Sequence, residues 1–301
     1  MAASSTRTPR VRLDVEAGTT ARRPDVLATE EPLEVRVGGD PVVVTMRTPG
    51  DDTDLALGFL LTEGLLASLD DVERAVHCAV AGPVGMGGDP GAAGGGVPPE
   101  AAGNVLDVTL RPGVAAPDLE GRRTFGMTSA CGVCGSASID AVRHRSAHDV
   151  AADPVVVDAA LLASLPGRLR EGQRVFDRTG GLHAAGLFTA DGELLAAAED
   201  VGRHNAVDKV LGRAAREVGW PLRGTVLQVS GRASFELVQK ALAAGVPVLS
   251  AVSAPSSLAV SLAREAGMTL AGFVRAPTVN LYCGEHRVVL AAAGGGATPS
   301  S

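Results

Sequence analysis

The sequence predicts an α/β fold built around a mostly parallel or mixed sheet, with a smaller N-terminal α+β subdomain. The chain has 301 residues, of which 46% are hydrophobic and 20% charged, a composition that supports a sizeable globular core. Residues 225–274 alternate short apolar strands with helices, an order typical of a parallel sheet. Residues 33–46 alternate apolar and polar side chains around a Gly-Gly-Asp turn, which predicts a β-hairpin.

The N-terminal subdomain is predicted to span residues 31–120, after a mobile polar tail at residues 1–30. A glycine- and alanine-rich stretch at residues 81–103 interrupts it, and we expect a disordered loop there because the stretch offers little apolar surface to bury. The Pro- and Gly-containing residues 111–121 indicate the domain boundary. The remaining predicted elements are a helix at 54–66 and strands at 72–80 and 105–110.

The second domain is predicted to span residues 121–290 and to carry the sheet, with a disordered tail at residues 291–301. Strands that are apolar throughout indicate that both faces of the sheet are covered by helices. The predicted strands lie at 182–188, 194–198, 225–230, 246–252 and 268–274, and the predicted helices at 137–144, 156–170, 200–218, 234–244 and 257–266.

Charge and hydropathy exclude two broad classes of protein. The net charge of −7 and an aromatic content of 3% argue against a nucleic-acid-binding protein, which needs a basic surface or stacking platforms. No apolar stretch is long enough to cross a membrane, and the N-terminus lacks the apolar core of a secretory signal. We therefore expect a cytoplasmic protein without nucleic-acid or membrane partners.

The sharpest chemical motif is a Cys-x-x-Cys pair, Cys131 and Cys134, placed just before a predicted helix. Backbone N–H groups and the helix dipole at such a position favour a thiolate, which is the form that attacks a persulfide or a disulfide. The spacing is also compatible with zinc bound together with His144 and His148, and with dithiol redox chemistry. Zinc-dependent deamination is excluded as chemistry because the chain contains no His-x-Glu motif.

Two further segments place polar side chains where strands give way to helices. Residues 199–209 read EDVGRHNAVDK and contain Arg203 and His204. They form either a capped helix with a solvated first turn or a helix N-terminus that contacts a phosphate or a partner. The strand ends in the last third carry Ser230, Arg232 and Arg275, at the sheet edge where α/β proteins bind ligands. No nucleotide fingerprint is present, so these residues alone predict only an anionic ligand.

Taken in order along the chain, six segments resemble the FdhD/NarQ family of formate dehydrogenase accessory sulfurtransferases. Any one of them is weakly specific, whereas the ordered set, which covers roughly residues 30–285, is specific. The segments are ALGFLLTEG (residues 56–64), SACGVCG (129–135), FDRTGGLH (176–183), EDVGRHNAVDK (199–209), SGR (230–232) and GFVR (272–275).

The resemblance implies a cytidine-deaminase-like three-layer core and a homodimer. It implies a cytoplasmic sulfur carrier that takes persulfide sulfur from a cysteine desulfurase on Cys131, with Cys134 assisting. The sulfur would pass to the molybdenum bis(molybdopterin guanine dinucleotide) cofactor, bound as substrate, before the cofactor enters formate dehydrogenase. No permanently bound metal is expected. The cofactor-binding residues implied by the resemblance or placed at the same edge are Phe273, Val274, Arg275, Ala276, Pro277, Thr278, Ser230, Arg232, Arg203 and His204.

Overall fold

The computed structural model describes residues 3–78, 103–117 and 148–290. The predicted glycine-rich loop at 81–103 lies outside these residues except for its last residue, and the predicted tail at 291–301 and helix at 137–144 lie outside them entirely. Among the described residues, the structure is a mixed α/β arrangement with a four-stranded N-terminal sheet and a six-stranded larger sheet. No helix in these three ranges is both long and apolar enough to cross a membrane.

Residues 5–28 differ from the mobile tail that was predicted over residues 1–30. They form an antiparallel hairpin of β1 (Ser5–Asp14) and β2 (Thr19–Ala28), and all ten residues of each strand are in register. Cross-strand hydrogen bonding satisfies backbone groups that a polar composition alone would leave to water. The polar composition did not predict this hairpin, because both of its faces are largely exposed and show no buried apolar side.

The N-terminal sheet has the strand order β4-β3-β6-β5 and carries one helix on its buried face. The buried side chains of β3, including Leu33, Val35 and Val37, alternate with less buried ones and face α1. Helix α1 ends at Thr62, before a left-handed glycine at position 64. The elements are β3 (Glu31–Val37), β4 (Asp40–Arg47), α1 (Asp52–Thr62), β5 (Val72–His77) and β6 (Val105–Leu110).

The larger sheet has the order β13-β12-β11-β10-β8-β9, with parallel pairing only among β10, β11 and β12. The other three strands run antiparallel to their neighbours, so the sheet is mixed. Its strands are β8 (His183–Thr189), β9 (Leu194–Asp200), β10 (Thr225–Val229), β11 (Val248–Ala251), β12 (Thr269–Arg275) and β13 (Thr278–Cys283). A short parallel pair, β7 (Val157–Asp158) and β14 (Val288–Val289), lies outside it.

Helices cover both faces of the larger sheet and form two hydrophobic clusters with it. The helices are α2 (Ala159–Glu171), α3 (Arg174–Thr179), α4 (Arg203–Glu217), α5 (Phe235–Ala243) and α6 (Ser257–Glu265). Helix α2 begins three residues later than predicted because Asp158 caps it, accepting hydrogen bonds from the backbone of Ala160 and Leu161. Helix α3 was not predicted.

Buried charges join the N-terminal subdomain to the larger sheet. Asp208 in α4 accepts a hydrogen bond from Thr62 Oγ1 of α1 at 2.9 Å and pairs with Lys240 Nζ of α5 at 3.0 Å. Lys240 also donates to Thr62 Oγ1, so three helices share one network. Because buried charges need both partners and hydrogen bonds, this network requires the helices to hold one arrangement.

Candidate functional site

The carboxyl ends of the parallel strands are joined by backbone hydrogen bonds beyond the strands themselves. The N–H of Ser253 donates to the carbonyl of Gly231 at 3.2 Å, and the N–H of Phe273 donates to the carbonyl of Ser253 at 3.2 Å. The segments that follow β10, β11 and β12 therefore lie side by side. Residues 230–232 and 273–278, which the sequence analysis placed in one binding site, are brought to one edge of the sheet.

Phe273 is the most unusual residue of this edge. Its φ of 50° lies in the left-handed region, which a bulky non-glycine side chain rarely adopts, and its side chain is 41% exposed. A register shift between Gly272 and Arg275 accompanies it. Gly272 is closely packed, since an added Cβ would lie 2.8 Å from Pro255 Cδ. The bulge thus holds an aromatic ring toward solvent on a rigid support, an arrangement suited to contacting a ligand.

Past the bulge, the β12–β13 turn exposes most of the predicted cofactor segment. Arg275 and residues 276–278 are exposed, whereas Val274 is fully buried and belongs to a hydrophobic cluster. The Thr278 hydroxyl donates to the carbonyl of Arg275 at 3.3 Å, which closes the turn. Arg275 is therefore available to an anion, and Val274 supports the segment from below.

Ser230 and Arg232 occupy different environments. The Ser230 hydroxyl accepts a hydrogen bond from the N–H of Ala184 at 2.9 Å, so its oxygen helps to hold β8 at the end of β10. Arg232 is exposed at the same edge. Gly231, between them, packs against His183, since an added Cβ would lie 3.5 Å from the His183 ring. Ser230 is thus partly structural, and Arg232 is the more accessible of the two.

The 199–209 segment contains buried residues that hold the fold together and residues that lie near the exposed sheet edge. Asp200, at the end of β9, is completely buried and accepts hydrogen bonds from Gly202 N–H and the Asn205 amide. It also pairs with Lys209 Nζ at 2.7 Å and accepts from the N–H of Thr48 at 3.0 Å. These residues fasten the start of α4 and the loop after β4. The N-cap residue of α4 is Gly202, and no side chain caps the helix, so the capped-helix interpretation does not describe this part of the segment.

Arg203 and His204, in contrast, lie beside His183 and the start of α5. His204 Nε2 lies 3.4 Å from Ser234 Oγ and 3.2 Å from Glu236 Oε2. The buried Nε of Arg203 has no hydrogen-bond partner among the residues that the structure describes. An unsatisfied buried guanidinium nitrogen is costly, which makes this group ready to bind an anion.

Both imidazoles of this cluster have a pKa below the ordinary value. Burial, together with the nearby Arg203, Lys240 and His183, lowers the pKa of His204 to about 3. Burial and the charge of Arg203 also lower the pKa of His183, whereas Asp200 raises it. Neutral imidazoles add hydrogen-bonding groups without positive charge. His183 was not among the predicted site residues, although the FDRTGGLH segment ends on it.

His204 should make stability sensitive to acid. The unfolded chain protonates this residue near its ordinary pKa of about 6.5, whereas the folded chain does so near 3. The free energy of unfolding should therefore fall as pH drops below 6.5. Between pH 7.5 and 5.5 we expect wild type to lose about 1 kcal/mol more than His204→Gln. Urea unfolding at both pH values measures this, and the exposed His286→Gln should follow wild type. Equal losses in wild type and His204→Gln would contradict the assignment.

Cys131 and Cys134 lie outside the described residues, as does His144. The fourth residue of the zinc alternative, His148, is described and its ring lies 6.2 Å from that of Trp220, edge to face. In the described ranges, no three His, Cys, Asp or Glu side chains come together as a metal site. The sulfur, zinc and dithiol interpretations of the motif thus remain predictions.

A cavity of about 290 Å³ lies elsewhere, between the loop after β4 and the start of α3. Its lining includes Thr48, Gln173, Glu199 and Lys209. None of the ten residues predicted to bind a cofactor is among the described residues that line it. The predicted site is therefore an exposed edge and not this cavity.

Comparison with known proteins supplies the family. The model of the FdhD/NarQ family matches residues 28–289, which is most of the chain. The chain belongs to the FdhD/NarQ family. The sulfur carrier protein FdhD of Streptomyces avermitilis is 54% identical over 280 residues, covering 93% of this chain and 94% of that one. The sulfur carrier protein FdhD of Mycolicibacterium paratuberculosis is 55% identical over 272 residues, covering 90% and 95%.

A solved structure agrees with the fold of this family member. A putative formate dehydrogenase accessory protein from Desulfotalea psychrophila superposes with a TM-score of 0.68 at 20% identity, covering 95% of this chain and all of that one. At this identity the likeness concerns the fold. The family resemblance drawn from the six segments is thus confirmed, and the α/β class is confirmed with it.

Proposed function

We propose that this protein is a sulfur carrier that serves formate dehydrogenase, with Cys131 as the residue that carries sulfur. The observation that carries the proposal is identity above 50%, over about nine tenths of the chain, to proteins called sulfur carriers. The Cys-x-x-Cys pair is the chemistry in the sequence that fits such a role.

Loading requires no net oxidation. The Cys131 thiolate attacks the outer sulfur of a persulfide on a cysteine desulfurase, a new S–S bond forms, and the desulfurase thiolate leaves. The rate of such an exchange depends on the thiolate fraction of the attacking cysteine and on its accessibility. The thiolate of Cys134, three residues on, can attack the inner sulfur of the loaded Cys131. The Cys131–Cys134 disulfide forms, the S–S bond of the persulfide breaks, and the outer sulfur leaves as hydrosulfide, so we assign Cys134 an assisting role.

Delivery is proposed to take place at the exposed sheet edge. The substrate there is the molybdenum bis(molybdopterin guanine dinucleotide) cofactor, whose diphosphates call for cationic hydrogen-bond donors. Arg203, Arg232 and Arg275 supply guanidinium groups at or near this edge, and the Phe273 ring offers an apolar face to a guanine base. The exposed residues 276–278, with Ser230 and His204 around them, complete the proposed binding surface.

We also propose that the protein acts in the cytoplasm as a homodimer and that its partners are a cysteine desulfurase and formate dehydrogenase. We further propose a cytidine-deaminase-like core and a division into domains at 31–120 and 121–290. No resident metal is included in the proposal.

Sulfur loading can be measured by intact mass. The protein is incubated with an active cysteine desulfurase and L-cysteine, without reductant, and we expect a reducible gain of one sulfur atom. Cys131→Ala should abolish this gain because the nucleophile is missing, whereas Cys134→Ala should still load. The matched control is Cys78→Ala, which removes a half-buried cysteine that does not belong to the pair and should load like wild type.

The variants also separate the alternatives. Loading lost in Cys134→Ala but kept in Cys131→Ala would reverse the two roles. No loading in wild type would overturn the carrier proposal and leave the family membership standing. About one zinc per purified chain would instead favour the zinc interpretation, and reduction of a substrate disulfide would favour the dithiol interpretation.

A further inference from the structure

The cavity between the loop after β4 and the start of α3 is large enough for a small organic molecule. Its volume is about 290 Å³. A water molecule takes up roughly 30 Å³ in the liquid, so the cavity has room for about ten non-hydrogen atoms. Its lining includes the exposed residues Gly50, Asp51 and Gly172, so the cavity is open to solvent. It lies between the loop that leaves the N-terminal sheet and elements of the larger sheet, a kind of position where ligand pockets are common.

Gln173 brings a buried polar side chain without a partner to this cavity. The residue is 5% exposed and belongs to the lining. Its side-chain amide makes no hydrogen bond to any residue that the structure describes, and it does not cap α3, which begins at the next residue. A primary amide offers two donor hydrogens and an accepting oxygen, and leaving them unpaired in a buried position costs free energy. A molecule bound in the cavity would supply the missing partner.

Glu199 adds a carboxylate to the lining. Its two oxygens accept hydrogen bonds from the N–H groups of Val175 and Phe176 at 2.9 and 2.8 Å, which hold the side chain in one position. Within the described ranges, no lysine, arginine or histidine forms an ion pair with it. Each carboxylate oxygen can accept a further hydrogen bond. Glu199 is therefore a fixed anion that still has room for a cationic donor.

The other charges at the cavity are already paired. Lys209 Nζ lies 2.7 Å from Oδ2 of Asp200, and Asp51 Oδ1 lies 2.7 Å from Nη2 of Arg213. Each of these pairs sums to zero, so the carboxylate of Glu199 leaves the cavity with a net negative charge. An anionic ligand would be repelled by this charge, whereas a cationic ligand would be attracted.

We propose that this cavity binds an organic monocation, namely a primary ammonium attached to a compact apolar body, with about ten non-hydrogen atoms in all. The ammonium pairs with the Glu199 carboxylate and donates a second hydrogen bond to the side-chain oxygen of Gln173. Leu169, Leu182 and three alanines of the lining cover the apolar body. Because charge-assisted hydrogen bonds are stronger than neutral ones, the charge of the ligand decides its affinity.

The test is isothermal titration calorimetry of the full chain with three probes of similar size, at pH 7.5 in about 0.1 M salt. The probes are phenethylammonium, the neutral phenethyl alcohol and the anionic phenylacetate. We expect phenethylammonium to bind wild type with a Kd of about 1 mM or tighter. The alcohol and the anion should bind at least about tenfold more weakly, because neither places a positive charge beside Glu199.

Variants locate the binding. Glu199→Gln should weaken phenethylammonium binding at least about tenfold, because the ion pair is lost. Gln173→Leu should weaken it at least about threefold. In the absence of ligand, Gln173→Leu should unfold in urea no more easily than wild type, because it breaks no hydrogen bond among the described residues. The matched control Glu193→Gln makes the same change of charge at an exposed residue outside the lining and should bind like wild type.

Three results would overturn the proposal. Wild type might show no binding of phenethylammonium, or it could bind the three probes equally. Unchanged affinity in the folded Gln173→Leu would place the ligand elsewhere, and this variant decides the matter if Glu199→Gln does not fold. Since none of these readouts involves sulfur, they are independent of the proposed carrier role.

Discussion

Gly58→Ala should lower the free energy of unfolding by on the order of 3–5 kcal/mol or leave the protein unable to fold. Gly58 lies in α1 at its contact with α4, and a Cβ added there would overlap the carbonyl oxygen of Asp208. The obstacle is backbone, which no change of rotamer can move aside. Native domains are stable by only about 5–15 kcal/mol, so one such substitution removes a large share.

Gly212 in α4 lies at the same contact between α1 and α4, and a Cβ added there would overlap the carbonyl oxygen of Asp54. Gly212→Ala should therefore be about as damaging as Gly58→Ala. Separation of the two helices would also stretch the hydrogen bond between Thr62 and Asp208, which joins the N-terminal subdomain to the larger sheet. The two helix backbones touch here because neither residue has a side chain.

Urea unfolding and soluble yield measure this effect. Gly167→Ala in α2 is the matched control, since nothing lies within 4 Å of an added Cβ and its backbone is helical. Alanine there should stabilise the protein by about 0.5–1 kcal/mol, the ordinary helix preference. If Gly58→Ala unfolds within about 1 kcal/mol of wild type, the close helix contact described here is wrong.

Arg287→Ala should lower the free energy of unfolding by a similar amount, on the order of 3–5 kcal/mol. The Arg287 side chain is 1% exposed and donates to the carbonyls of Val150, Ala151, Asp153 and Gly267 at 2.7–3.2 Å. Its removal would take a donor from all four carbonyls, and within the described ranges only that of Val150 would keep another, the N–H of Asp153 at 3.3 Å. These hydrogen bonds from Arg287 hold residues 150–153 in place. Residues 150–153 follow the segment that contains the cysteine pair and precede the strands of the larger sheet.

Arg287→Lys should recover only part of the loss, because an ammonium is a point donor and cannot reach carbonyls that a planar guanidinium spans. The matched control is Arg264→Ala, whose exposed side chain donates to one carbonyl, that of Tyr282. It should cost less than about 1 kcal/mol. Thermal and urea unfolding of the three variants are compared at pH 7.5. Arg287→Ala with the stability of Arg264→Ala would contradict this account.

The central strands of the larger sheet could be predicted from local pattern. Residues 225–229 and 248–251 are buried throughout in the structure, and the sequence shows them as short apolar runs between helices. A central strand can be recognised from such a run alone, because both of its faces are covered and its side chains are therefore apolar on both. The same reasoning correctly placed the segments after these strands at one sheet edge.

The hairpin of residues 5–28 and strand β13 could not be predicted from the local pattern of apolar residues. Strand β13 has a mostly exposed pattern that resembles a loop, and its antiparallel pairing with β12 follows from the turn at 276–277. The hairpin of residues 5–28 is largely exposed on both faces, so no burial periodicity distinguishes it from a tail. Edge strands and hairpins without a buried face are defined by backbone pairing, which leaves little trace in side-chain pattern.

The family, the cysteine pair and the list of polar segments could be recognised from residue types and their order. Which of the polar residues are buried anchors, and which lie near the sheet edge, depends on the folded structure. Asp200 and Lys209 are buried against Thr48, which is about 150 residues away, whereas Arg203 and His204 lie beside the ends of other strands and helices. Burial and hydrogen bonding are set by contacts between distant parts of the chain, and no local window contains them.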